Sequence, residues 1–174
     1  MGTRSREDPG LDPREALMPE REHIDGNRVG PLPPTYFLSS LVLMAALHLF
    51  LPINRLLEMP WSLLGLAPLV PGIWLNLHAD KLFKRAGTAV KPHLRSSCLV
   101  TEGPYGMSRH PMYLGMTLIL IGVWILLGTL SPLFVVPVFV VCMEALFIRP
   151  EERKMERIFE EDWARYRERV GRWL

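Results

Sequence analysis

The apolar residues of this chain are gathered into long uncharged blocks and do not recur at the three-to-four spacing of a core-facing helix. Thr35–Ile53 is nineteen residues without a charge, Trp61–His78 is eighteen, and Pro111–Ile148 is thirty-eight with Glu144 as its one charge. A helix rising about 1.5 Å per residue needs about 20 residues to cross a hydrocarbon layer about 30 Å thick. The last block is therefore long enough to cross twice, and Gly128-Thr129-Leu130-Ser131-Pro132 is the turn-like break in its middle. The pattern predicts an all-α integral membrane protein with four transmembrane helices, at Thr35–Ile53, Trp61–His78, Pro111–Gly128 and Thr129–Ile148. A soluble bundle would show a polar face on each helix, and the third and fourth segments have none.

Within the second segment Pro68 and Pro71 each remove a backbone donor, which predicts a kink or a break. In the third, Gly115 and Gly122 lie seven apart on one face and allow a neighbouring helix to approach closely. Beyond Ile148 the chain becomes polar, but Met155, Phe159, Trp163, Tyr166 and Val170 keep a helical spacing. This predicts an amphipathic cytosolic helix over about residues 151–170, lying on the membrane surface or folded back as a lid. Residues 1–30 mix five Arg with seven acids and several Pro and Gly, without the apolar run of a secretory signal, and read as a disordered cytosolic tail ahead of a membrane domain at 31–174.

The net charge of +2 adds little, but the placement of Lys and Arg fixes an orientation. Five precede the first segment, six lie from Lys81 to Arg109 and eight follow Ile148, against Arg55 alone and none in the two intervening connections. The positive-inside rule puts both termini and the middle loop in the cytosol. Cys98 and Cys142 make neither a disulfide framework nor a metal-type pair. No basic groove with interleaved aromatics points to nucleic acid.

Candidate chemistry collects on the cytosolic side. The stretch from Ser97 to Gly115 contains a turn at Gly103-Pro104-Tyr105-Gly106, then the donor pair Arg109-His110, then Pro111 at the first position of a helix. Turn, Arg, His and helix N-terminus together suit an anionic group such as a ligand carboxylate. Glu151 and Glu152 follow one turn beyond the fourth segment, and Glu144 lies in its last turns, where a carboxylate requires a partner or a function.

The runs Leu99-Val100-Thr101-Glu102-Gly103-Pro104-Tyr105 and Ser108-Arg109-His110-Pro111-Met112-Tyr113-Leu114-Gly115, followed by Glu151-Glu152 with Met155, Phe159, Tyr166 and Val170, resemble the isoprenylcysteine carboxyl methyltransferase and phospholipid methyltransferase superfamily. The resemblance covers roughly residues 85–174. It implies an S-adenosylmethionine site without a Rossmann domain, with S-adenosylhomocysteine as product and no metal. The implied cofactor contacts are Ser97, Cys98, Leu99, Val100, Tyr105, Arg109, His110, Pro111, Met112, Tyr113 and Glu151, reached from the cytosolic face. The implied acceptor is lipid-like or prenylated and enters from the bilayer lipids, with Glu144, Arg149 and Glu152 as the residues that handle it. In the prenylcysteine branch an Arg stands one turn before the Glu pair, whereas Phe147 stands there in this chain. Arg149 is then the nearest clamp for a carboxylate acceptor, and Glu144 or Glu152 would assist an amine or thiol. Two other readings stay open at this point: a non-catalytic membrane scaffold, and a small transporter, against which the lack of a repeat argues.

Overall fold

The computed structural model describes residues 31–85, 99 and 101–174. Every described residue belongs to one compact unit, Pro31–Leu174. The expected tail, together with the candidate residues Ser97, Cys98 and Val100, lies outside the described residues.

Helices form at all four apolar segments. Helix α1 (Pro33–Phe50) opens on a proline pair, whose fixed φ and missing donor suit a first turn. It stops before the predicted Ile53 because Leu51 precedes Pro52 and is forced out of helical geometry. Helix α2 (Leu66–Arg85) follows a 3-10 turn at Trp61–Gly65. The expected break in this segment is not at Pro71, through which α2 runs uninterrupted. The irregular backbone falls earlier, in the 3-10 turn, so that Pro68 takes a first-turn position where its missing N–H deprives the helix of nothing. Helix α3 (Pro111–Leu127) ends where Gly128 turns left-handed at φ 67°. Its backbone there receives Leu56 and Leu57 N–H on the Gly128 carbonyl, at 2.8 and 3.2 Å, and a Cβ at Gly128 would collide with the Leu57 carbonyl.

The fourth segment differs from its expected form. A 3-10 turn at Ser131–Phe134 leads into α4 (Val135–Met143), then a π turn at Glu144–Ile148, then α5 (Arg149–Arg169), with no break between them. The amphipathic helix is thus a continuation of the membrane helix, and the chain bends at Glu160, whose backbone (φ 39°, ψ −106°) is not helical. That bend folds Trp163, Tyr166 and Val170 into a small cluster with Leu99, Met155 and Phe159.

Among the described residues, three helical runs are long and apolar enough to cross a membrane: Pro33–Phe50, Trp61–Leu82 and Ser131–Arg169; α3 is apolar but, at 17 residues, shorter. At about 1.5 Å per residue it still reaches roughly 26 Å. Helices α2 and α3 pack through paired glycines. A Cβ on Gly72 or on Gly115 would lie 2.8 Å from the other's carbonyl oxygen, and Gly65 and Gly122 face each other in the same way. Small residues let the two backbones meet, as the spacing of Gly115 and Gly122 predicts. The main core lies between α1, α3 and α4, around Met44, Met116, Leu120, Phe139 and Met143. On the opposite face of α1 apolar side chains face outward: Leu38, Val42, Leu49 and Phe50 are between 60% and 85% exposed. Such a continuous greasy surface belongs in lipid, not in water.

Candidate functional site

Two stretches of chain far apart in sequence meet at one end of the bundle. The first runs from Glu102 to Tyr113. Gly103, at φ 59°, supplies the left-handed backbone that starts the 3-10 turn Gly103–Gly106. Pro111 then forces His110 into a non-helical conformation, which makes it the residue before α3 and leaves its side chain at the helix entrance. The fully buried Ser108 fixes that entrance, since its hydroxyl accepts the His110 N–H at 3.1 Å. Asn76 of α2 donates to the Met112 carbonyl at 3.0 Å and ties the first turn of α3 to its neighbour.

The second stretch is the junction of α4 and α5. Its π turn places residues five apart above one another, so Arg149 Nη2 reaches Glu144 Oε1 at 3.1 Å. One turn on, Glu151 and Glu152 point at the first stretch. The Tyr113 hydroxyl donates to Glu151 Oε1 at 2.9 Å, and His110 Nδ1 lies 3.6 Å from Glu151 Oε2. Arg109 Nη1 is 3.1 Å and His110 Nε2 3.5 Å from Glu152 Oε1. His110 therefore sits between two carboxylates while being 8% exposed.

Charge follows from this placement. Burial alone would lower His110, but the carboxylates of Glu151 and Glu152 on either side of the ring outweigh it and raise its pKa above the ordinary value. Glu152 lies beyond the apolar part of its helix. Burial would raise it, but His110, Arg172 and the charge of Arg109 hold it down at about 2. The Glu152 contacts from Arg109 and His110 are ion-pair distances without hydrogen-bond alignment. Among the described residues, Arg109 Nε and Nη1 and His110 Nε2 are buried atoms with no hydrogen-bond partner. Buried polar atoms left this way mark a place for water or a ligand.

The second half of α5 supports the site from behind. The Tyr166 hydroxyl donates to the Tyr105 carbonyl at 2.6 Å, and the Arg109 guanidinium lies over the Trp163 ring, 5.7 Å from its centre. Burial pushes Tyr166 up to about 12 and Tyr105 higher still, so both phenols are neutral hydrogen-bonding groups. Leu99 and Thr101 line an open groove of ≈ 720 Å³ with Phe159 and Tyr166. Toward α1 the site is walled by rings: His110 stacks on Tyr113 at 5.8 Å, Tyr113 meets Phe147 at 6.4 Å, and Phe147 meets Tyr36 edge-on at 5.5 Å.

Of the residues singled out from sequence, the structure brings together Arg109, His110, Tyr113, Glu151 and Glu152. Pro111 and Met112 contribute backbone beside them, and Tyr105 and Leu99 belong to the supporting layer. Glu144 and Arg149 pair with each other at the edge, Arg149 being 59% exposed. Sequence reasoning missed Ser108 as a site residue and missed Arg172 altogether. Arg172 grips both oxygens of Glu152, at 3.1 and 2.6 Å, and reaches Glu144 at 3.1 Å. Nothing in the sequence separates it from the other arginines around α5.

Comparisons with known proteins bear on the family and the fold. No curated protein matches the chain. Among solved structures it is similar to the eukaryotic intramembrane Ras methyltransferase ICMT, isoprenylcysteine carboxyl methyltransferase, at 27% identity and a TM-score of 0.59, over 81% of this chain and 51% of that one. The chain thus spans about half the length of that protein. The sequence model described as phospholipid methyltransferase matches residues 61–162, so the likeness reaches back through α2, well before residue 85. Since that match takes in more than half of the residues, the chain belongs to the phospholipid methyltransferase family of integral membrane proteins.

Proposed function

We propose that the protein is an S-adenosylmethionine-dependent methyltransferase whose acceptor is a lipid-like molecule taken from the bilayer. The observation that carries this reading is the closed cluster of Arg109, His110, Glu151 and Glu152 at the N-terminal end of α3, with three buried polar atoms lacking hydrogen-bond partners. Those atoms fit the cofactor chemically. Arg109 and His110 offer donors to its carboxylate, and the Glu151 carboxylate, held by Tyr113, offers acceptors to its ammonium.

Bound there, S-adenosylmethionine supplies a methyl group on a positively charged sulfur. The chain's part is binding and alignment. Displacement at a methyl carbon disperses charge, so holding the partners in line and excluding water provide most of the rate. The rings of Tyr113, Phe147 and Tyr36 form the dry wall through which an apolar acceptor approaches. A carboxylate held at about 2 is ionised at neutral pH but is a weak base, which favours Glu152 as a charge anchor over Glu152 as a proton acceptor.

The distribution of Lys and Arg supports four spans with both described ends in the cytosol and the site on the cytosolic face. Two acceptor head groups suit the family and the solved relative: an amine, and a carboxylate with Arg149 as its clamp. Incubating the detergent-purified protein with methyl-labelled S-adenosylmethionine and a membrane lipid extract tests the reading. Label in the lipid fraction is expected. A folded preparation that binds the cofactor but labels neither lipids nor prenylcysteine analogues would refute it.

A further inference from the structure

The segment after α5 returns to the site and is fixed there twice through its backbone. The Arg109 N–H donates to the Gly171 carbonyl at 3.0 Å, and the Ser108 hydroxyl donates to the Arg172 carbonyl at 3.1 Å. Trp173 packs against the membrane core. The Arg172 guanidinium is thus delivered from an anchored backbone, and less side-chain freedom is lost in ordering it than for an ordinary surface arginine. It takes both oxygens of Glu152 and bridges to Glu144.

That grip has a consequence for the opposite side of the same carboxylate. Glu152 is within 3.1 to 3.5 Å of Arg109 and His110, yet it is aligned with neither, and their buried nitrogens stay without hydrogen-bond partners. Two guanidinium groups and the His110 imidazole surround one carboxylate, and the forked, two-oxygen geometry goes to Arg172. We infer that Arg172 is a positioning residue that holds the Glu152 oxygens out of hydrogen-bond alignment with Arg109 and His110, though within ion-pair distance, and so keeps their donors open for the carboxylate of an incoming ligand, a role that rests on the proposed cofactor site. Without Arg172, Glu152 would settle onto Arg109 and His110 and occupy the place intended for the ligand.

Two measurements on the full-length protein in detergent test this. The first is the affinity for S-adenosylhomocysteine of wild type, Arg172→Ala, Arg172→Lys and the double variant Arg172→Ala/Glu152→Gln. Arg172→Ala is expected to bind roughly 10- to 100-fold more weakly, from the loss of charge-assisted hydrogen bonds to the ligand. Arg172→Lys, a cation without the fork, should fall between, and it serves in place of the alanine variant should that one not fold. The double variant should recover affinity, because a neutral amide no longer competes for the Arg109 and His110 donors. A merely structural Arg172 predicts that the double variant binds as poorly as the single one or worse, and that result would overturn the inference.

The second measurement needs no ligand: the titration of His110 followed by NMR on histidine-labelled protein, assigned with His110→Asn. The groups facing His110 are Glu151 and Glu152 from α5, its neighbour Arg109 and the stacked Tyr113 ring. In Arg172→Ala the midpoint should move up as Glu152 turns to the imidazole. An unchanged midpoint overturns the inference alone, whereas wild type that binds no S-adenosylhomocysteine removes the cofactor reading and the inference with it.

Discussion

Replacing Tyr113 by Phe removes a single atom from the site and leaves its walls in place. In the native protein that hydroxyl donates to Glu151 Oε1 at 2.9 Å, and the ring stacks on His110 and meets Phe147. A hydrogen bond to an ionised group contributes roughly 1.5–3 kcal/mol. The lower end applies here, because the Glu151 side chain is 28% exposed and water can take the vacated position, while His110 stays 3.6 Å away on the other oxygen. The expected loss is about 1.5 kcal/mol in cofactor binding, about tenfold in Kd. Because the ring is kept, the melting temperature in detergent should stay within about 3 °C of wild type. Calorimetric titration and a thermal melt on one preparation measure both. Unchanged affinity would refute the role given to the Tyr113–Glu151 bond, and a large fall in melting temperature with proportionate loss of binding would show that the hydroxyl matters to the fold instead.

Other substitutions probe other parts of the account. Gly115→Ala puts a Cβ 2.8 Å from the Gly72 carbonyl, so α2 and α3 must separate by about 0.6 Å or more, at a cost of about 1–3 kcal/mol, and the Asn76–Met112 bond beside the site lengthens with them; a detergent melt should show the loss, with Gly106→Ala, whose added atom meets nothing closer than 3.5 Å, as a neutral control. Glu152 has its pKa depressed from 4.5 to about 2, so its stabilisation is complete above about 4.5 and drains away as pH falls through about 2. Melts recorded from pH 6 downward should therefore fall more steeply for wild type than for Glu152→Gln, and equal slopes would contradict the charge assignment. Arg149→Ala should depress turnover far more than cofactor affinity if an acidic acceptor is held there; kinetics like those of wild type would point to an amine.

The membrane helices are legible in the sequence because lipid selects uncharged runs, and such runs read directly off Thr35–Ile53, Trp61–His78 and Pro111–Ile148. The glycine seam is legible for a similar reason, since spacing by seven fixes a common face. Helix boundaries were less accessible. Pro71 looked like a breaker, yet a membrane helix tolerates the loss of one backbone bond, and the irregularity settled at Trp61–Gly65. The fusion of the fourth span with the amphipathic helix depends on the π turn at Glu144–Ile148, which no residue pattern announces. At the site, Arg109-His110 and Glu151-Glu152 stood out as charged pairs at the ends of apolar runs, and the structure places them together. Arg172 did not stand out, because its position depends on the reversal at Glu160 and on backbone bonds to residues 108 and 109, a tertiary consequence that no local spacing encodes.

The central claim is that the cluster around His110 and Glu151 holds S-adenosylmethionine. Calorimetric titration of the detergent-purified protein with S-adenosylmethionine and with S-adenosylhomocysteine, beside the Glu151→Ala variant, tests it most directly. Saturable binding of both by wild type, abolished in Glu151→Ala at unchanged expression and extraction, is the predicted result. A folded wild-type protein that binds neither, or a Glu151→Ala variant that binds as well as wild type, would contradict the account and turn attention to a scaffold role for this membrane fold.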